Sequence, residues 1–382
     1  MAGQKGSIYF EGLPYNEFAS VGGVDLAPLY ARMKEAAAVA SERLNADLGE
    51  FCEFTTLGNI VWGGNGSGFA QALDEFGFPD STKADNGLKL GIPMKRYGKA
   101  ISWSRPSFKM KTTGDLVREF EAAQMSLNDT ILLAIRNAIY NNDNYTFEDD
   151  YGVGTPSLTV RRFINADSAV IPNSPWGDEF TAASHNHYVA KAGATLAVTD
   201  LATLIANVLE HGDTKGVKLI INRADVSDLA ALPYNGTNTT GFAPLTSALL
   251  KDLNGLLIAT TADSYPGNDY NDCQVGVWVS NSGAVPVFVK PWAVENYILC
   301  IATGGEKPLM AREPIEPSMR GISITQLPEG RTNFEVLLER YLGIGVFNRG
   351  AGAILYNYST ETTYADPTLT HGGKYGNAGS EN

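Results

Sequence analysis

The chain has 382 residues, 44% of them hydrophobic and 19% charged; this suffices for two or three domains with a sizeable core and is too apolar for a disordered chain. A formal net charge of −13 argues against a general nucleic-acid binder, which needs surplus Lys and Arg to neutralise phosphates. Cys52, Cys273 and Cys300 are sparse and form no CxxC, so a disulfide framework is not expected; no transmembrane helix or signal peptide is expected either, because long apolar runs are missing.

Residues 1–24 carry glycines and aromatics without helical periodicity and read as an extended arm. Asp25 is placed to cap a helix from Leu26 to Leu48, with Leu29, Met33, Ala36, Ala40, Leu44 and Leu48 on one side. Leu57–Trp62 reads as a short strand followed by the glycine-rich loop 63–68. That loop fails the dinucleotide pattern, because Phe69 stands where a small residue is required, and it lacks the Gly-Lys-Ser/Thr ending of a phosphate loop.

Residues 83–111 hold eight basic residues against one acid, Asp85. This is a charge of +7 inside a chain of −13, leaving −20 elsewhere. The segment patterns as strands at Leu88–Met94, Ala100–Ser104 and Ser107–Thr112, broken at Pro93, Gly98 and Pro106. A basic hairpin on an acidic protein suggests an acidic partner, and a neighbouring copy of the same chain is the nearest candidate. The plainer reading is a solvated charged hairpin. Thr113-Gly114-Asp115 then starts the strongest helix, from about Leu116 to Asn141. Leu116, Phe120, Ala123, Leu127, Ile131, Ala134 and Ala138 recur along it at three- and four-residue spacing.

Residues 145–180 are polar, with Glu148-Asp149-Asp150 offered as one acidic counterpart for the basic segment. Between Thr199 and Gly304 helix and strand alternate. Asp200 is placed to cap a helix to His211. Val217–Ile221, Leu256–Thr260, Val275–Val279, Val285–Val289 and Tyr297–Ala302 read as strands, and Ala224–Leu232 and Ala243–Leu253 as helices. Glu335–Gly345 reads as a strand in which Gly343 and Gly345 allow a bend or close backbone approach. Asn348-Arg349-Gly350 is a turn, and Ala351–Tyr356 is a second strand completing a hairpin. The last 26 residues are polar and read as a surface tail.

Two features together resemble the major capsid proteins of tailed double-stranded DNA phages. One is the closing pattern Arg340-Tyr341-x-Gly343-x-Gly345-Val346 followed by Arg349; the other is a basic strand hairpin running directly into one long helix. The resemblance covers about residues 69–356 and implies an α+β, Hong Kong 97-like capsid fold; residues 1–68 match no pattern of that family. It implies an N-terminal arm with helix at 1–68, an extended loop at 69–112 and a peripheral domain with spine helix at 113–180. A mixed α/β axial domain at 181–304, a peripheral return at 305–356 and a tail at 357–382 would follow. The implied role is structural and not enzymatic: pentamers and hexamers of one chain close a shell around packaged DNA. Scaffolding, portal and decoration proteins are the further partners implied, and the virion capsid, assembled in the host cytoplasm, is the implied location. Lys95, Arg96, Lys99, Trp103 and Arg105 are the subunit-contact candidates.

No catalytic constellation emerges, and no cofactor or metal is expected. His185 and His187 could bind a metal as an i, i+2 pair, but two ligands make no zinc site, and a polar loop is the plainer reading. The oxygen-rich stretch 263–272 misses calcium-loop spacing. The readings left standing beside the capsid are a compartment, tail-tube or surface-layer subunit, and a soluble metal-dependent α/β enzyme.

Overall fold

The computed structural model describes residues 26–62, 77, 88–151, 157–164, 171, 185–193, 195–211, 214–234, 238–244, 273–280, 283–326, 333–358 and 363–369. The first stretch contributes α1 (Leu26–Leu48), β1 (Cys52–Thr55), β2 (Asn59–Trp62), β3 (Leu88–Gly91), β4 (Met94–Ser104), α2 (Arg105–Met110), α3 (Thr113–Tyr140), β5 (Tyr145–Glu148) and β6 (Ser157–Val160). The middle gives β7 (Tyr188–Ala192), α4 (Val198–Leu209), β8 (Gly216–Ile221), α5 (Val226–Ala230), β9 (Gly241–Pro244), β10 (Cys273–Ser280), β11 (Gly283–Val289) and β12 (Tyr297–Thr303). The last stretch gives β13 (Leu309–Arg312), β14 (Ser323–Gln326), β15 (Asn333–Val346) and β16 (Gly352–Tyr358). Among the described residues no helix is long and apolar enough to cross a membrane, and Cys52, Cys273 and Cys300 are buried.

Alternating bulk makes β15 the organising strand of the first sheet. Val336, Leu338, Leu342, Ile344 and Val346 are buried, whereas Leu337, Glu339 and Tyr341 between them are only partly covered. All 11 residues of β4 pair antiparallel with its Asn333–Gly343 stretch. On its other edge lie β14, opposite Val336–Glu339, and β13, opposite Gly343–Val346; β1 adds parallel to β13. The glycines of the closing motif mark close backbone approach: a Cβ on Gly343 would sit 2.3 Å from the Pro93 carbonyl oxygen, and one on Gly345 3.1 Å from the Gly91 carbonyl oxygen.

Helix α3 begins with a capping box. Thr112 Oγ1 accepts from the Asp115 backbone N–H at 3.2 Å, and Asp115 accepts from the Thr112 N–H at 3.1 Å. Its 28 residues span about 42 Å. The face Leu116, Phe120, Ala123, Leu127, Ile131 and Ala138 is buried in the core shared with α1 and the first sheet, as the spacing predicts. The second sheet runs β7-β16-β12-β8-β11-β10-β9, and α4 packs Leu201, Leu204, Ile205 and Val208 onto it.

Several expectations are corrected. Ser107–Thr112 is not a strand: Ser104 caps α2, accepting from the Ser107 N–H at 3.2 Å, and Pro106 sits in the first turn, where a missing N–H costs nothing. Gly98 does not break β4; it pairs with Glu339. Asp200 is the third helical residue of α4, accepting from the Ala197 N–H at 2.8 Å. Ala243 lies in β9 instead of a helix; the remainder of that helix from 245 on, the expected strand 256–260, the arm 1–24 with the cap at 25, the loop 63–68 and the stretch 263–272 lie outside the described residues. The closing strands are no hairpin: β15 belongs to the first sheet, and the 3₁₀ turn Arg349–Ala351 carries the chain into the second, where β16 lies between β7 and β12. The tail does not hang free at its start. Tyr364 donates to the Tyr140 carbonyl at 2.6 Å, Ala365 accepts from the Tyr297 hydroxyl at 2.6 Å, and Leu369 is buried.

Two outcomes follow from this packing. Gly343→Ala forces a Cβ into backbone and should lower stability by about 1–3 kcal/mol, read as a reduced urea midpoint. Asp225 is buried beside α5, with Oδ1 accepting from the Asn296 N–H at 3.0 Å, and burial pushes its carboxyl up to about 6. The native state therefore takes up a proton that the unfolded chain does not, and stability falls as pH rises from about 4 to 6. Asp225→Asn should exceed the wild type by about 1–3 kcal/mol above pH 6, with the gain shrinking toward pH 4 in denaturation curves.

Candidate assembly face and histidine cluster

The basic residues of β4 face several ways. Arg96 is exposed, donates from Nε to Glu339 at 2.7 Å and lies 5.8 Å from the Tyr341 ring; the neighbouring carboxylate raises its pKa further. Lys95 Nζ is 5.8 Å from the Phe147 ring and half-buried, as is Lys99. Trp103 does not face outward. It is buried, donates from Nε1 to Glu119 and packs on Phe108; Lys111 pairs with the same Glu119. Arg105 opens α2. The other four lie on β4: Lys95, Lys99 and Trp103 alternate onto one face, where the lysines are half-buried and Trp103 is buried, and Arg96 lies on the other. Among the described residues the outer edge of β4 pairs with no strand.

The acidic run 148–150 is divided as well. Asp149 is fully buried and forms an ion pair at 2.6 Å with Arg312, which also donates to the Ile92 carbonyl at 3.0 Å. Asp149 is committed within its own chain and is no counterpart for a neighbour, whereas Glu148 and Asp150 stay exposed. Asp149→Ala strands a buried guanidinium and should cost about 3–5 kcal/mol, measurable by chemical denaturation.

The arginines of the closing motif are structural. Arg340 is fully buried on the apolar face of β15 and donates to Asn45 Oδ1 of α1 at 2.5 Å, with Glu313 at 4.0 Å; burial lowers its pKa to about 10. Arg349, also fully buried, donates from Nε to the Arg162 carbonyl at 2.9 Å.

A second cluster assembles residues far apart in sequence. His185 and His187 precede β7, and Glu210 and His211 end α4. The Nε2 atoms of His187 and His211 are 2.7 Å apart, those of His185 and His187 3.1 Å, and those of His185 and His211 3.2 Å. Glu210 Oε1 lies 3.3 Å from His185 Nε2 and 3.9 Å from His187 Nε2. His187 Nδ1 donates to the Gly352 carbonyl at 2.8 Å, and the His187 carbonyl accepts from the Ile354 N–H at 3.0 Å, tying the cluster to β16. Burial, then the neighbouring His211, lowers the His187 pKa to about 3, and burial lowers that of His185, so both imidazoles are neutral near pH 7. Sequence reading weighed only the first pair. The signal it passed over was Glu210-His211 at the end of a helix, and nothing in the spacing shows that this helix returns to residue 187.

No family model matches the chain, and no curated relative does. Solved structures do. The chain superposes on a protein of Mycobacterium phage Patience with a TM-score of 0.65 over 91% of each chain, at 17% identity. Looser likenesses are the capsid of an empty GTA particle (TM-score 0.48, 12% identity, 82% of this chain and 90% of that one) and the holo-SrpI encapsulin complex from Synechococcus elongatus PCC 7942 (0.41, 12%, 84% and 90%). The match to the Mycobacterium phage Patience protein shows the fold: the chain shares that protein's mixed α+β architecture.

Proposed function

We propose that this chain is the major capsid subunit of a tailed double-stranded DNA phage, with a Hong Kong 97-like arrangement of its domains. The observation that carries the reading is the match to the Mycobacterium phage Patience protein over 91% of both chains. The order of elements supports it: the basic strand β4 leads through the short α2 into the 28-residue α3, which serves as spine of a peripheral domain with α1 and the first sheet. The seven-stranded sheet and α4 form the axial domain, and β16 belongs with it although it follows β15.

The mechanism is geometric. A rigid α+β body presents an exposed strand edge, and identical bodies meet around fivefold and sixfold axes to enclose DNA. The net charge of −13 suits a wall that confines phosphates without adhering to them. Scaffolding, portal and decoration proteins are the further partners of such a subunit, the virion its destination and the host cytoplasm its place of assembly.

Lys95, Arg96 and Lys99, on β4, are the charged groups proposed to face an adjacent copy. Expressed alone, the protein should give closed shells or capsomer-sized rings by electron microscopy and size-exclusion chromatography. Lys95→Glu with Lys99→Glu should cut shell yield at least about tenfold, with a thermal midpoint within a few degrees of the wild type. A wild-type chain that stays monomeric at every concentration, and also on co-expression with its phage's scaffolding protein, overturns the capsid reading; normal shells from the double variant overturn the role of these lysines.

A further inference from the structure

The three imidazoles of the histidine cluster present a contradiction that a cation resolves. Each Nε2 carries, in the ring plane, either one proton or one lone pair. Here each lies 2.7–3.2 Å from both of the others, so three mutual contacts share three single lobes. Pairwise hydrogen bonds cannot satisfy such a triangle. His187 sharpens the point: its Nδ1 faces a carbonyl, which only accepts, so Nδ1 holds the proton and Nε2 turns a bare lone pair toward the cluster.

A single cation at the centre accepts all three lone pairs at once. Zinc–nitrogen bonds of about 2.0–2.1 Å set tetrahedral edges of about 3.3 Å, and five of the six edges here run from 2.7 to 3.9 Å. Glu210 supplies the fourth donor and a compensating negative charge, and all four ligand atoms lie within 4.8 Å of one another. The His187–Gly352 hydrogen bond is the outer contact that orients a metal-binding imidazole. The end of α4 adds the partial negative charge of a helix C-terminus beside the donors.

We propose that His185, His187, Glu210 and His211 hold one divalent transition-metal ion of the zinc class. Four protein donors close the coordination sphere, so the ion is a structural clamp without an open position for chemistry. It fastens the entry to the edge strand β7 against the end of α4 and, through Gly352, against β16, the strand with which β7 pairs.

The untagged full-length chain, stripped with chelator and dialysed against micromolar zinc chloride, should retain about one zinc per chain by elemental analysis. Cobalt(II) in its place should give the intense visible bands of a four-coordinate site. His185→Gln, at the most exposed of the three histidines, should weaken zinc binding about a hundredfold, and Glu210→Gln about tenfold. A folded wild type that takes up no zinc overturns the proposal, as do equal zinc contents in the wild type and both variants or an octahedral cobalt spectrum. The wild-type measurements decide even where a variant fails to fold.

Discussion

Pairing of β15 along both of its edges is the constraint from which the rest of the structure follows. A strand with neighbours on both sides has its register fixed twice, by β4 on one side and by β13 and β14 on the other. A slip of one residue would bring Glu339 and Tyr341 into the core and push Leu338 and Leu342 out. The helices read this register. α3 lies against β4 and β15, and α1 reaches the same strand through Asn45 and Arg340. The glycines at 343 and 345 let the chain around Gly91–Pro93 press against the strand, which is how the small β2–β3 ribbon is held to the first sheet.

Buried charge supplies specificity that apolar packing does not. Arg312, Arg340 and Arg349 all lie inside, each bonded to an acceptor from a distant segment: Asp149 and Ile92, Asn45, and Arg162. Removing charge from water is costly, and a buried pair is weak evidence of net stabilisation. Its effect here is positional, because a planar guanidinium is satisfied only when its acceptors arrive in one arrangement. The closing motif that reads as a family signature is, in physical terms, two such pins and two sites of close backbone approach.

How much of this was legible depended on range. Helices α1 and α3 follow from local periodicity, and β8, β10, β11, β12 and β15 from apolar runs of strand length. Helix α2 was misread because Ser104 and Pro106 signal a helix start over a stretch that also alternates. The partition of β15 and β16 between sheets was illegible, since a short turn between two strands usually makes a hairpin and only the buried Arg349 turns the chain aside. The anchoring of 363–369 was not legible because aromatic edges and hydroxyl-to-carbonyl bonds hold it in place of an apolar stripe. Of the candidate contact residues, Lys95, Arg96 and Lys99 read as lying between two strands, because Gly98 signals a break that pairing with β15 overrides, and the burial of Trp103 was not legible either. The histidine cluster needed a long-range return of α4 that no local pattern encodes.

The distance in sequence between β4 and β15 also sets an order in time. Arg96 and its partner Glu339 are 243 residues apart, so β4 leaves the ribosome long before the strand that covers it. Long-range pairing of this kind is slow to form and leaves a nascent chain without a completed first sheet. During that interval the basic strand is an open edge whose lysines disfavour strand-to-strand pairing between unfinished copies. Synthesis itself thereby delays association until the body that must associate is whole.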